Sequence, residues 1–193
     1  MTIETYPLGF LQTNCYFIKS GGEAIVIDPA VNDRKLFDYF IDSAKIKYII
    51  MTHNHFDHVQ GVDLLKKSSG AQTVISDVDN NNLANAEKAD ITVKDGDELV
   101  FGDEKIEILE TPGHTSGSVC LLVGDSMFSG DTLFFETIGR TENRKDMINS
   151  LLKLIKLDKD YIVYPGHGET TTLLYEKQNN VYMKHVQDGK GFI

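Results

Sequence analysis

Five strand-like runs in this chain each lead into a polar side chain able to ligate a metal ion, and that recurrence constrains the fold more than any other feature. Ile25-Val26-Ile27 leads to Asp28, and Tyr48 to Met51 leads to Thr52-His53-Asn54-His55-Phe56-Asp57-His58. Lys105 to Leu109 leads to Thr111-Pro112-Gly113-His114. Met127 to Ser129 leads to Gly130-Asp131, and Tyr161 to Tyr164 leads to Pro165-Gly166-His167. In layered α/β proteins, loops leaving the carboxyl ends of strands gather at one edge, where sites are built. Glycines beside His114, Asp131 and His167 permit turns sharp enough to aim those side chains inward. The pattern predicts convergence.

The run at 52 to 58 is the strongest single signal. Residues 53, 55 and 57 alternate, so in an extended segment they project to one side, while His58 turns toward a neighbouring point. One short loop can therefore serve two adjacent metals, His53 and His55 on the first ion and Asp57 and His58 on the second. Cys15 and Cys120 stand outside any metal-ligand spacing, inside apolar runs, and read as buried free thiols. Imidazoles and carboxylates without thiolate suit zinc, iron or manganese.

The remaining elements supply the frame. Strands are expected at residues 2 to 7, 14 to 19, 24 to 27, 73 to 76, 98 to 101, 105 to 109, 119 to 123, 127 to 129 and 161 to 164, besides the run at 48 to 51. Apolar spacing of three and four predicts helices over 33 to 44, 59 to 69, 144 to 157 and 172 to 184, with a polar surface helix over 77 to 87. Strands in two sets with helices between them predict two packed sheets covered outside by helices. With no Pro- or Ser-rich linker and 193 residues, a single domain spanning 1–193 is expected.

Composition then narrows the function. The formal net charge of −10, with no basic stripe, argues against a nucleic-acid partner. No apolar run approaches the roughly 20 residues that span a bilayer, and Met1 to Gly9 lacks the features of a signal peptide. A cytoplasmic enzyme acting on a small molecule is expected, and the oligomeric state is open. Two divalent ions would bring a local charge that an acidic chain otherwise lacks, so even an anionic substrate is compatible with the surface.

These residues resemble the metallo-β-lactamase superfamily in Asp28, THNHFDH at 52 to 58, TPGHTSGS at 111 to 118, SGDTLF at 129 to 134 and YPGHG at 164 to 168. Within it the chain is most similar to the short glyoxalase II-like (hydroxyacylglutathione hydrolase-like) subgroup. The resemblance implies an α/β fold, the αββα four-layer sandwich. It also implies a ligand set: His53, His55 and His114 on one metal, Asp57, His58 and His167 on the other, Asp131 bridging, and Asp28 supporting the site without coordinating. Two divalent ions per chain are expected, zinc first, with iron or manganese as alternatives. His55 separates the chain from the di-iron flavoproteins, which carry Glu there, and Asp131 from the true β-lactamases. Full-length glyoxalase II adds a helical C-terminal domain, and with 26 residues after His167 no counterpart of it is expected here.

The implied reaction is hydrolysis of a thioester such as an S-acylglutathione by a metal-bridging hydroxide, with Asp57 orienting that hydroxide and shuttling its proton. Arg140 is a candidate clamp for a substrate carboxylate or, equally, a loop support. Phe134 and Phe135 either wall the pocket or pack in the core, Tyr175 packs its helix on the sheet, and His185 and the Asp77 to Asn82 run are solvated. The alternative within the same fold is a mononuclear iron persulfide dioxygenase. Its two-His, one-Asp set would take His114 and Asp131, with His55 a better third than His53. A purely structural metal protein fits poorly, because structural sites are closed and commonly use Cys.

Overall fold

The computed structural model describes residues 1–190. Its first sheet runs in the order β1 (Thr2–Leu8), β2 (Thr13–Ser20), β3 (Glu23–Ile27), β4 (Lys45–Ile50), β5 (Gln72–Ser76) and β6 (Ile91–Val93). The second contains β7 (Glu98–Phe101), β8 (Glu104–Glu110), β9 (Val119–Val123), β10 (Ser126–Gly130), β11 (Ile162–Pro165) and β12 (Thr171–Thr172), again neighbour to neighbour. β1 to β3 pair antiparallel and β3 to β6 parallel. In the second sheet only β10 and β11 pair parallel.

Alternation along the strands divides the core into three layers. Tyr16, Ile18, Ile25, Ile27 and Ile50 of the first sheet face Ile106, Ile108, Leu121, Val123 and Phe128 of the second. The intervening positions Cys15, Phe17, Val26, Ile49 and Met51 face outward onto α1 (Arg34–Ser43) and α3 (Val62–Ser69). Cys120, Leu122, Met127 and Val163 likewise face α5 (Arg144–Ile155), α6 (Leu173–Asn179) and α7 (Val181–Gln187). Strands buried on both faces need unbroken apolar runs, as in VCLLV of β9. The expected αββα sandwich is therefore observed, and both cysteines are buried free thiols.

The helices carry local signals that fix their ends. Asp33 caps α1 by accepting from Leu36 N, and the buried Phe40 stacks on Phe17 with ring centroids 4.3 Å apart. Asn143 caps α5, whose Met147, Leu151 and Leu154 recur on one buried stripe.

Several expectations need correction. The helix over 59 to 69 is α2 (Phe56–Val59) followed by α3, broken where Gly61 passes Pro29 and Val31; a Cβ on Gly61 would lie 2.4 Å from Val31 O. The segment 172 to 184 is two helices, because the buried Asn180 amide caps α7 and also donates to Thr137 O and Glu176. His185, expected to be solvated, lies on α7 and is half-buried. α4 (Asp77–Asn81) ends well short of 87, and β6 and β12 are additional strands. Among the described residues, no helix is long and apolar enough to cross a membrane.

Candidate metal centre

The strand ends converge at one edge of the sandwich, where the two sheets are stitched together. Asn14 N donates to Gly166 O, its Nδ2 to Pro165 O and Gly168 O, and Tyr16 Oη to Pro165 O at 2.5 Å. Val119 N donates across the sheets to Thr52 O. Two glycines are required by this closeness. A Cβ on Gly166 would lie 2.2 Å from Asp131 Oδ1, and Gly130, at φ +48°, would push one to 2.6 Å from Thr52 Oγ1.

The seven candidate ligands come together here. His53, His55 and His114 form one group, Asp57, His58 and His167 a second, and His53, His58 and Asp131 a third between them. Asp131 Oδ2 lies 3.3 Å from His114 Nε2 and 3.6 Å from His167 Nε2, and its Oδ1 lies 3.4 Å from His58 Nε2. One carboxylate thus touches both groups. Asp57 Oδ2 is 3.4 Å from His167 Nε2 and 3.6 Å from His58 Nε2, and accepts from Thr13 Oγ1 at 3.0 Å.

Four of the imidazoles are oriented through their other nitrogen, as metal-binding histidines are. His58 Nδ1 donates to Asp28 Oδ2 at 2.8 Å, His114 Nδ1 to Arg140 O at 2.7 Å and His167 Nδ1 to Leu11 O at 3.1 Å. His53 Nδ1 lies 3.1 Å from Thr52 Oγ1. Asp28, expected to support the site without coordinating, is buried at φ +50° and also accepts from Thr52 N and Thr52 Oγ1.

A metal fits the donor set on its own terms. Among the described residues His53 Nε2 and Asp131 Oδ1 are buried without a hydrogen-bond partner, a costly state for polar atoms. Elsewhere nitrogens face each other: His55 Nδ1 and His114 Nε2 at 2.9 Å, His58 Nε2 and His167 Nε2 at 3.4 Å. A cation between them removes both problems at once, and nitrogen and oxygen donors without sulfur match a borderline or hard divalent ion.

Protonation differs across the centre. Burial pushes His53 well below the usual imidazole range, helped by neighbouring His58 and His114, and burial also lowers His114 against the opposing pull of Asp131. Burial likewise opposes charge on His58 and His167, but there the carboxylates win. Asp28 raises His58, while Asp131 and Asp57 hold His167 up at about 10. Burial would raise both carboxylates, yet His167 and His58 keep Asp57 and Asp131 below the ordinary range.

One supporting residue was not expected. Asp79, read from sequence as part of a solvated face, is 1% exposed. Its Oδ2 accepts from Asn54 N at 3.0 Å and from Thr115 Oγ1 at 2.7 Å, and Gly117 N also donates to the carboxylate. It ties the loop of His53 and His55 to the loop of His114. Nothing in the DVDNNN context distinguishes it; only the close passage of Gly117, whose Cβ would meet Ser76 Oγ at 2.3 Å, buries it.

Around the rim, Arg140 is exposed, and its guanidinium makes no hydrogen bond or ion pair among the described residues. Phe134 is half-buried with its ring edge-on to His167 at 6.0 Å. Tyr175 does not pack its helix on the sheet. It stacks on the exposed Phe135 and donates to Glu136 Oε1.

The sequence model of the metallo-beta-lactamase superfamily matches residues 8–167. This chain belongs to that superfamily. It is 31% identical to the probable metallo-hydrolase YqgX of Bacillus subtilis, over 92% of this chain and 95% of that one. It is 37% identical to the hydroxyacylglutathione hydrolase of Brucella anthropi, but over 65% of this chain and 48% of that enzyme. Among solved structures, the BLEG-1 B3 metallo-beta-lactamase superposes with a TM-score of 0.87 at 26% identity, over 94% of this chain and 99% of that one. ETHE1 from Myxococcus xanthus superposes with a TM-score of 0.82 at 30% identity, over 95% of this chain and 84% of that one. A di-iron-bound form of TTHA1623 reaches 0.79 at 29% identity, over 94% and 100%. The chain is an enzyme of the metallo-hydrolase superfamily, and its His/Asp cluster and family membership support divalent metal ions.

Proposed function

We propose that this enzyme hydrolyses a thioester such as an S-acylglutathione. His53, His55 and His114 would hold one divalent cation, Asp57, His58 and His167 a second, and Asp131 would contact both, with zinc the first expectation. The observation that carries this reading is the pair of buried, unpartnered atoms His53 Nε2 and Asp131 Oδ1 amid seven metal-capable groups. Bound there, divalent cations supply Lewis acidity and lower the pKa of coordinated water toward neutrality.

The chain's own residues supply orientation and proton handling. Asp57 stays ionised, is fixed by Thr13 and borders an open cavity, so it can accept a hydrogen bond from the attacking water and orient it as its proton leaves toward solvent. A thiolate leaving group needs no strong general acid, and the site offers none beyond its histidines. Arg140, whose guanidinium has no partner among the described residues and whose carbonyl holds His114, is available to pair with a carboxylate on the thiol half. The partial match to a hydroxyacylglutathione hydrolase supports the thioester class.

A second reading, a mononuclear iron persulfide dioxygenase built on His55, His114 and Asp131, is compatible with the likeness to ETHE1. Metal content and turnover separate the two. Two ions per chain with thiol release from S-acylglutathiones are expected. One iron per chain, with oxygen consumed alongside a persulfide and no thioester cleavage, would reverse the order.

A further inference from the structure

Beside Asp57 lies a cavity of about 270 Å³, walled by Leu8, Phe10, Leu11, Ala30, Val31 and Phe56. Its polar lining is limited to Thr13, Asp57 and Gln60 side chains, with no lysine or arginine. We infer that this cavity seats an apolar acyl group, so that the thioester substrates of this enzyme carry straight hydrocarbon chains longer than acetyl. The inference rests on the thioesterase reading and adds the acyl class to it.

Four observations converge on that occupant. Asp57 lines the cavity and also contacts His58 and His167, so whatever fills the cavity has one end at the reacting centre. The volume falls below the roughly 300–1,000 Å³ of whole small-molecule sites, which suits one half of a substrate. The absence of a cationic side chain in the lining disfavours the carboxylates of glutathione, while Arg140, whose guanidinium has no partner among the described residues, lies at the other ligand group with its carbonyl on His114. Finally, large apolar side chains at this cavity stand in solvent: on the β1–β2 hairpin tip Phe10 is 98% exposed and Leu11 46%, and Phe56 at the start of α2 is 50% exposed.

That tip is positioned rather than loose. Leu11 O accepts from His167 Nδ1, and Gln12 donates from both its backbone N and its Nε2 to Gly9 O. Gly9 and Gln12 take positive φ values of 69° and 54° to make the turn. Phe10 and Leu11 are thereby displayed above the cavity mouth. An aromatic ring removes about 150–250 Å² of surface from water when covered, so an entering chain has a surface to gain from.

The test is an S-acylglutathione series from acetyl to decanoyl, read as kcat/KM. Each added methylene should raise kcat/KM about fourfold. At roughly 30 Å³ per methylene, about the volume of a water molecule, the gain should level off at about eight or nine carbons. In Phe10→Ser and Phe56→Ser the rise per methylene should fall below about twofold, each variant serving as its own reference. A flat wild-type series, or slopes unchanged in both variants, overturns the inference and leaves the thioesterase standing.

If no thioester turns over, the thioesterase reading fails, and calorimetry with straight-chain alkyl hydroxamates on metal-loaded protein decides the cavity separately. Affinity rising with chain length in the wild type, and flattened by Phe10→Ser, supports an apolar-chain site. Affinity independent of length overturns it. A dimer that Phe10→Ser splits without changing the chain-length slope assigns the tip to a second copy and also overturns it.

Discussion

Asp28→Asn and Asp28→Ala should separate the folding role of this buried carboxylate from its role in preparing a ligand. Asp28 accepts from Thr52 N at 2.8 Å, Thr52 Oγ1 at 2.7 Å and His58 Nδ1 at 2.8 Å, from a backbone at φ +50°. Alanine removes both acceptor oxygens and with them all three hydrogen bonds. Thr52 Oγ1 can turn to His53 Nδ1, already 3.1 Å away, so two donors are stranded. At roughly 1–3 kcal/mol each, plus about 1–2 kcal/mol for alanine in the left-handed region, the loss centres on about 5 kcal/mol. That is a large part of the roughly 5–15 kcal/mol of a typical domain.

Asparagine tolerates the left-handed backbone and can still accept from Thr52 N, so its folding cost should be about 1–2 kcal/mol. Its amide nitrogen, however, would donate where Oδ2 now accepts. His58 would then have to receive at Nδ1 and carry its proton on Nε2, the atom that faces Asp57, Asp131 and His167. Loss of such an orienting partner typically costs about 10–100-fold in metal affinity. Urea unfolding of chelated protein and stepwise cobalt titration measure the two effects. The expected result for Asp28→Asn is a folded protein in which one of the two equivalents binds about 10–100-fold more weakly while the other stays within about threefold. Equal loss at both steps, or none at either, would refute the tautomer argument; an Asp28→Ala variant within about 1 kcal/mol of the parent would refute the burial argument.

The converse pattern is expected for Asp79→Asn, which weakens the tie between the Asn54 and Thr115 loops: the equivalent left intact in Asp28→Asn should loosen by about tenfold and the other stay unchanged, as resolved in the same titration. Gly166→Ala, whose Cβ would sit 2.2 Å from Asp131 Oδ1, should cost about 1–3 kcal/mol in unfolding but on the order of a hundredfold in kcat; kinetics near wild type would show that Asp131 moves without consequence. In chelated protein, His167 is held up at about 10, above its unfolded value near 6.5. Its contribution to stability is therefore complete below about pH 6.5 and lost as pH rises toward about 10. The urea midpoint should fall across that window, and the fall should be smaller in His167→Ala.

Much of this architecture is legible before any coordinates. Runs such as VCLLV and YII are too apolar for an edge or a half-exposed sheet, and strand ends followed by glycine and a histidine or aspartate point to one rim. What escapes is set by tertiary contact. Asp79 sits among asparagines and aspartates that are exposed, and its burial comes from Gly117 of a distant loop. β6 and β12 are too short to show a period, and Asn180 reads as an ordinary polar helix residue until its capping and its bonds to Thr137 and Glu176 are seen. Tyr175 escapes for a related reason: helical spacing gives it a face but not the Phe135 ring that the loop brings to it.

The ancestry of the site's parts in the two sheets also explains why folding and metal binding need not be the same event. His53, His55, Asp57 and His58 follow β4 of the first sheet, whereas His114, Asp131 and His167 follow β8, β10 and β11 of the second. Each proposed ion would therefore bridge the sheets, and any cation that binds only the closed arrangement must stabilise their packing by mass action. Yet closure at this edge does not depend on those ligands alone. Asn14 and Tyr16 reach from β2 to the backbone of residues 165 to 168, and Val119 reaches Thr52, all through groups that are not proposed ligands. Behind them, the apolar layer between the sheets is continuous. The sandwich can thus hold seven polar groups close together at its rim before a metal arrives, with the unsatisfied His53 Nε2 and Asp131 Oδ1 as the local cost of that readiness.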